Sequence, residues 1–302
     1  MIVINDDIKN IELGYETSIA LGMFDGLHIA HQKIIKKAVE WANKNNTKSV
    51  VLTFDKHPEE ILFNLNQKII MDNYTKARLI QNLGVDNLIL LKTDLDLLNL
   101  DYKYFIKFIC EKLKAKFIVC GFDYRFGKKA QGTASKLIEL SKIYNYDIDV
   151  IDEVKIDNYK VSSSIIREKL SCGLIDEVNN LLGYNFCIYG KVEGGNRIAR
   201  EFGYPTANVY IDDNLAIKNG VYITTTIVDD KEYKSITNIG YKPTFNHRGR
   251  VLETHIFDFN KDLYNKDICV KFKKFIRDEQ KFNSVSELKN RIEKDVLLAK
   301  NM

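Results

Sequence analysis

At 302 residues the chain is long enough for one large domain or two ordinary ones, and its 45% hydrophobic content supplies material for real cores. Its 45 Lys and Arg against 41 Asp and Glu leave a formal net charge of +4 spread along the sequence, so charge alone suggests no nucleic-acid partner. Five cysteines (Cys110, Cys120, Cys172, Cys187 and Cys269), odd in number and without a CxxC pair, indicate neither a zinc knuckle nor a disulfide framework. The N-terminus has no basic leader with an apolar run behind it, and no stretch approaches the ~20 apolar residues of a membrane span. A cytoplasmic protein without a membrane partner is expected.

In chain order, the short apolar runs at 18–21, 49–54, 87–91, 117–120 and 148–151 predict buried strands. Between the first two, Ile34, Ile35, Ala38, Val39 and Ala42 recur at helical spacing, and 102–114 and 134–144 do so further on. This alternation predicts an α/β, Rossmann-like N-terminal domain: a parallel sheet covered on both faces, with ligands at the carboxyl ends of its strands. After about Leu182 the texture changes. Strand-like runs at 186–192, 221–228, 233–239, 254–259 and 268–275, separated by Gly, Asn and Asp turns, predict a small antiparallel β-barrel. A terminal helix over 284–297 follows a Ser284-to-Glu287 capping pattern. The boundary falls at 182–185, which sets domains of 1–183 and 184–302.

Scarce residues concentrate at predicted strand exits. The three prolines, Pro58, Pro205 and Pro243, lie in polar segments read as loops, and three of the five histidines, His28, His31 and His57, fall just past the first two predicted strands. The run from Gly22 to His31, Gly-Met-Phe-Asp-Gly-Leu-His-Ile-Ala-His, is a glycine-punctuated turn into a helix, where small residues let backbone approach a phosphate and two imidazoles share one helical face. An arbitrary His-x-x-His is more often a surface pair; the strand, turn and helix context argues for the phosphate site. Thr53-Phe54-Asp55-Lys56-His57-Pro58 follows the second strand and could be an ordinary strand exit.

Gly121 to Lys128, Gly-Phe-Asp-Tyr-Arg-Phe-Gly-Lys, offers a carboxylate, cations and aromatic faces; as a bare pattern it reads equally as a solvated basic loop. Ser162, Ser163, Ser164 and Arg167 stand at a predicted helix start, a ready anion site that plain capping only partly explains. In the C-terminal half, a Gly194-Gly195-Asn196-Arg197 run leads to Gly203-Tyr204-Pro205-Thr206-Ala207-Asn208. Thr206 and Asn208 offer two neutral oxygens to a hard cation, although from spacing alone a Pro-Thr turn is the commoner reading.

On these motifs the chain resembles the bacterial bifunctional riboflavin kinase and FMN adenylyltransferase (FAD synthetase) family, from about Gly22 to Phe282. The departures are Ala30 and Ala199 where the family usually has glycine, Lys56 for proline, Tyr124 for phenylalanine, Ser164 for threonine, and the conservative changes Phe202 and Tyr204. The resemblance implies phosphorylation of riboflavin by ATP in the C-terminal domain, then adenylyl transfer from a second ATP to FMN in the N-terminal domain. It implies catalytic His28 and His31, ATP or phosphate binding by Gly22, Phe24, Asp25, Ser163, Ser164 and Arg167, and FMN binding by Phe54, His57, Pro58, Asp123, Arg125 and Phe126. For the kinase it implies a base, Glu253, at the start of a strand, nucleotide or flavin contacts at Gly195, Arg200, Gly203, Pro205, Asn238 and Arg277, and Mg2+ on Thr206 and Asn208. The expected partners are the small molecules riboflavin, FMN and ATP, in a monomer or weak homo-oligomer. A rival reading is a flavin- or nucleotide-sensing protein that has lost chemistry through the drifted positions.

Overall fold

Residues 17–21, Thr-Ser-Ile-Ala-Leu, are buried along their whole length, as a central strand covered on both faces must be. In the computed structural model, which describes residues 1–156, 159–193, 204–243 and 248–301, this strand lies inside the first of two compact units, residues 1–67 with 76–162; the second is 68–75 with 163–302. The first unit carries β1 (Ile2–Asp6), β2 (Thr17–Leu21), β3 (Lys48–Phe54), β4 (Asn87–Leu91), β5 (Ala115–Gly121) and β8 (Asp147–Ile151) as one sheet in the order β1-β4-β3-β2-β5-β8. All five pairings are parallel. Their register puts Leu21, Leu52, Ile89, Cys120 and Val150 at one level, so the loops that leave the carboxyl ends begin side by side.

Helix α1 (Ile29–Asn45) turns Ile34, Ile35, Ala38 and Ala42 to the sheet and stops at Asn46, which takes the left-handed conformation. Downstream come α2 (Pro58–Phe63), α3 (Asn73–Asn82), α4 (Leu95–Leu98), α5 (Tyr102–Lys107) and α6 (Ala134–Tyr144), with two small hairpins, β6 (Arg125–Phe126) with β7 (Gly132–Thr133) and β9 (Lys155–Ile156) with β10 (Tyr159–Lys160). The helix expected over 102–114 ends sooner as an α-helix. Beyond α5 the chain widens into a π turn over Phe108–Lys112, which lets the two adjacent pairs Phe105, Ile106 and Phe108, Ile109 all reach the core.

In the second unit α7 (Ser163–Cys172) and α8 (Ile175–Leu182) lie against a barrel of β11 (Cys187–Lys191), β12 (Ala207–Ile211), β13 (Gly220–Val228), β14 (Lys231–Pro243), β15 (Arg248–Ile256) and β16 (Asp267–Arg277), ordered β11-β16-β13-β14-β15-β12. Every pairing is antiparallel, and the Glu193–Asn208 bridge brings the two ends of the order together. Asn179 of α8 ties the helices to the barrel: its amide donates to the Phe272 carbonyl at 3.0 Å and its oxygen accepts the Phe186 N–H at 2.7 Å. The terminal helix α9 (Val285–Lys300) starts as expected, the Ser284 hydroxyl accepting the Glu287 N–H at 3.1 Å, and packs Ile292, Val296 and Ala299 on Ile223, Ile236 and Phe257.

The barrel core is partly polar. Thr224, Thr226, Ser235, Thr237 and Thr254 are buried and share hydroxyl hydrogen bonds of 2.8–3.4 Å, so each buried oxygen is satisfied. Arg250 is buried as well: its guanidinium donates to the Asn219 side chain at 2.8 Å, to the Leu215 carbonyl at 2.7 Å and to the Ile217 carbonyl. This explains why β15 starts earlier than the apolar pattern suggested, since Arg-Gly-Arg reads as a polar turn until Arg250 finds three acceptors inside. Arg250→Met should therefore lower stability by about 3 kcal/mol, leaving buried acceptors unpaired. Urea unfolding measures this, and a loss under about 1 kcal/mol would show that water replaces the guanidinium.

Candidate functional site

The turn after β2 is built around strained backbone. Phe24 and Leu27 hold φ of 50° and 41°, and Gly26 holds 87°. A Cβ on Gly22 would come within 2.9 Å of the Phe24 ring, so that glycine is required by packing. Phe24 itself is fully buried, its ring packed against Gly22 and edge-on to His31. The Met23 carbonyl accepts from the Thr53 hydroxyl at 2.9 Å and from the Lys76 ammonium at 3.4 Å, which pins the loop to β3 and α3.

From this turn His28 caps α1. Its Nδ1 accepts the His31 N–H at 3.4 Å, and the two rings stack with centroids 3.6 Å apart, Phe24 standing edge-on to His31. Burial pushes His28 down to about 4, although the Asp123 charge works the other way. Burial also holds His31 well below the ordinary histidine range, with His28 and Lys76 adding to the effect. Both imidazoles are neutral at pH 7. Because Nδ1 of His28 is an acceptor, its proton sits on Nε2, available as a donor at the N-terminus of a 17-residue helix. Asp25 is buried in the same turn.

At the exit of β3, His57 caps α2 by accepting the Glu59 N–H on Nδ1 at 3.3 Å, and Pro58 occupies the first turn of that helix. Pro58 thus opens a helix and Pro243 ends β14, so of the three prolines only Pro205 lies outside an element. Lys56, standing where the family has proline, has an N–H that donates to the Thr93 hydroxyl at 3.4 Å, while Asp55 accepts the Thr93 N–H at 2.8 Å. Hydrogen bonds hold the loop where a proline ring would. Phe54, at the end of β3, is half-buried.

In the loop after β5, Phe126 is buried, tilted on Phe105 with centroids 5.2 Å apart and stacked on Tyr124 at 5.5 Å. The aromatic face that is exposed is Phe122, with the Lys160 ammonium 5.0 Å from its centroid and 3.3 Å from the Asp123 carboxylate. Its signal was only its place in the Gly121–Lys128 run. Arg125 is exposed. Ser163 and Ser164 open α7 in the second unit, and Arg167, one turn on, donates to the Ser164 hydroxyl at 3.4 Å.

In the barrel, register does the assembling. Arg277 pairs with Val221, Val221 with Asn238, Asn238 with Glu253, and Glu253 with Asn208, a single row across five strands. Residues directly opposite one another share a face, so a carboxylate stands between two amides. Glu253 lies inside β15, not at its start. Asn208, Thr206 and Pro205 line a cavity of about 500 Å³ together with Thr254, Lys261 and Tyr264. His255 donates its Nδ1–H to the Pro205 carbonyl at 2.8 Å and fixes that proline. Glu279 joins the cluster unannounced: it accepts from Asn219 and Asn238, and burial and the Glu253 charge push its carboxyl up while Arg250 opposes them. In sequence it sat within a charged run that reads as solvated. A Cβ on Gly240 would collide with its carboxylate. Gly195, Arg200 and Gly203 lie outside the described residues.

Comparison with known proteins covers both units. Residues 11–165 match the FAD synthetase family and residues 182–302 the riboflavin kinase family. A bifunctional riboflavin kinase/FMN adenylyltransferase of Buchnera aphidicola from Schizaphis graminum is 36% identical over 97% of this chain and 96% of its own. One from Listeria monocytogenes is 33% identical over 91% and 89%. A crystal structure from Streptococcus pneumoniae, described as a macrolide-efflux protein, covers all of both chains at 31% identity with a TM-score of 0.83. In the present chain no helix among the described residues is long and apolar enough to cross a membrane.

The buried imidazoles carry a pH signature. With the folded value of His28 below the unfolded one, its contribution to stability is complete above about pH 6.5 and is lost as pH falls toward 4, because the unfolded chain binds the proton first. Histidine NMR should show the His28 ring unprotonated from pH 8 to 5; a midpoint near 6.5 in the folded protein would contradict the buried, neutral pair.

Proposed function

We propose, for a chain that belongs to the bifunctional riboflavin kinase/FMN adenylyltransferase family, that its kinase reaction runs at the barrel row and its adenylyl transfer at the neutral histidine pair. The two activities are phosphorylation of riboflavin to FMN by ATP and transfer of AMP from ATP to FMN, giving FAD and pyrophosphate. The proposed division assigns 1–183 to the second and 184–302 to the first, and the separate family matches at 11–165 and 182–302 support it.

In the kinase step Glu253 takes the proton of the riboflavin 5′-hydroxyl as that oxygen attacks the γ-phosphorus and the bond to ADP breaks. The carrying observation is the row that sets Glu253 between Asn208 and Asn238. Glu279 keeps Asn238 oriented by accepting its amide proton. Thr206 and Asn208, two residues apart on extended chain, bring a hydroxyl and an amide oxygen to one cavity, a donor set that fits Mg2+, which keeps waters and phosphate oxygens as its other ligands. When bound, that ion supplies charge neutralisation on the phosphates. Pro205 lines the same cavity, and Arg277 ends the strand row that carries Glu253.

In the adenylyl step a phosphate oxygen of FMN attacks the α-phosphorus of ATP and pyrophosphate leaves, with no covalent enzyme intermediate. Neutral His28 and His31 donate hydrogen bonds to phosphate oxygens as charge builds, aided by the α1 N-terminus and the close backbone at Gly22 and Asp25. Ser163, Ser164 and Arg167 offer hydroxyls and a guanidinium to an anion. Phe54, His57, Pro58, Asp123 and Arg125 are assigned to FMN, with Phe122 as the stacking face.

Purified protein given riboflavin, MgATP and nothing else should accumulate FMN and then FAD by chromatography. Glu253→Gln should lower FMN formation at least about a hundredfold while leaving FAD formation from added FMN within about twofold. Flavin binding without turnover in the unaltered protein would instead favour a sensor.

A further inference from the structure

The row that carries the kinase residues ends on β16 at Arg277, and the guanidinium there is held by the terminal helix. Asp295 of α9 receives it side-on, Oδ2 accepting from Nε at 2.8 Å and lying 2.7 Å from Nη2. Nη1 donates to the Asp278 carbonyl at 3.0 Å. Asp295 is only 4% exposed, and its other oxygen lies 3.2 Å from Nε of Arg291, one turn earlier on the same helix. Arg277 itself is 13% exposed in its side chain. A guanidinium has five N–H donors; among the described residues Nε and Nη1 each make one hydrogen bond and Nη2 one ion-pair contact, which leaves N–H groups on both Nη atoms.

A buried carboxylate is costly unless it is paired and hydrogen-bonded. Arg277 meets that demand and Arg291 adds a second charge within ion-pair distance, but helix attachment alone does not require the pair: α9 already packs Ile292, Val296 and Ala299 on the barrel. What the side-on pair adds is orientation. One carboxylate oxygen against Nε and Nη2, with the Asp278 carbonyl holding Nη1, fixes the guanidinium plane in a way that a single point charge cannot.

We propose that Asp295 is a positioning residue for riboflavin phosphorylation: from the terminal helix it fixes the plane of Arg277 so that its remaining Nη N–H groups face acceptor atoms of the flavin. The inference rests on the assignment of Arg277 to the kinase site. Sequence alone does not suggest it, because Asp295 lies in the Glu-Lys-Asp run of an amphipathic helix, 18 residues from its partner.

The test uses the full-length protein and steady-state riboflavin phosphorylation with riboflavin varied at saturating MgATP. Asp295→Asn should raise the riboflavin KM about tenfold, with kcat changed far less, the loss expected of one charged hydrogen-bonded partner. Asp295→Glu should recover part of the affinity. If Asp295→Asn alone does not fold, Asp295→Asn with Arg291→Gln removes one charge of each sign and should show the same KM rise. Arg291→Gln alone, which leaves the Arg277 contacts in place, should leave KM unchanged, and FAD formation from FMN should be unaffected throughout. Arg277→Gln should raise KM at least as much, with Asp295→Asn adding nothing further. An unchanged KM in a folded Asp295→Asn protein whose Arg277→Gln counterpart has lost affinity would overturn the positioning role alone. An equal rise in Arg291→Gln would reduce Asp295 to helix packing, and an unchanged KM in Arg277→Gln would overturn both the inference and the assignment beneath it.

Discussion

Strand register is the constraint from which both sites follow. A backbone hydrogen-bond ladder cannot slip by one residue without turning every side chain to the other face. In the first unit the parallel ladder levels the ends of β2, β3, β4, β5 and β8, so the loops that begin at Gly22, Asp55, Lys92 and Phe122 emerge from neighbouring points. In the second unit the antiparallel ladder aligns Asn208, Glu253, Asn238 and Arg277 directly, with residues drawn from four strands and separated by as much as 69 positions. One unit gathers chemistry in loops above a sheet, and the other places it on the strands.

Around these frames much of the buried polarity is met with partners. The barrel holds five hydroxyls in one network, Arg250 caps two carbonyls and an amide, and Asp295 serves two arginines. The histidine pair shows a different solution: burial keeps its rings neutral, the form in which the proposed adenylyl step uses them as hydrogen-bond donors to phosphate.

Much of this was legible in the sequence. The four central strands of the first sheet, β4, β3, β2 and β5, stand as nearly continuous apolar runs because they are buried on both faces, and α1, α6 and α9 carry clear helical periodicity. The elements that escaped have physical reasons. β1 is an edge strand with Ile2 61% exposed and shows no alternation of burial, while β12 is short and bounded by the Pro-Thr turn and an Asp-Asp-Asn run. Glu253 was recognised, but its strand was placed too late because Arg250 is buried by satisfied hydrogen bonds and not by apolarity. An aromatic in a motif says nothing of which way it points: Phe126 packs on Phe105 while Phe122 stays outside. Glu279 and Asp295 were hidden in charged runs, where only tertiary contacts separate a solvated carboxylate from a working one.

The account stands on two chemistries at two separate sets of residues within one chain, and the histidine pair tests that most directly. Purified protein with both His28→Ala and His31→Ala, incubated with riboflavin and MgATP and followed by chromatography, should accumulate FMN at an unaltered rate and form no FAD. If that protein remains folded and loses FMN formation as well, or goes on making FAD, the separation of the two activities between the imidazole pair and the barrel row is wrong.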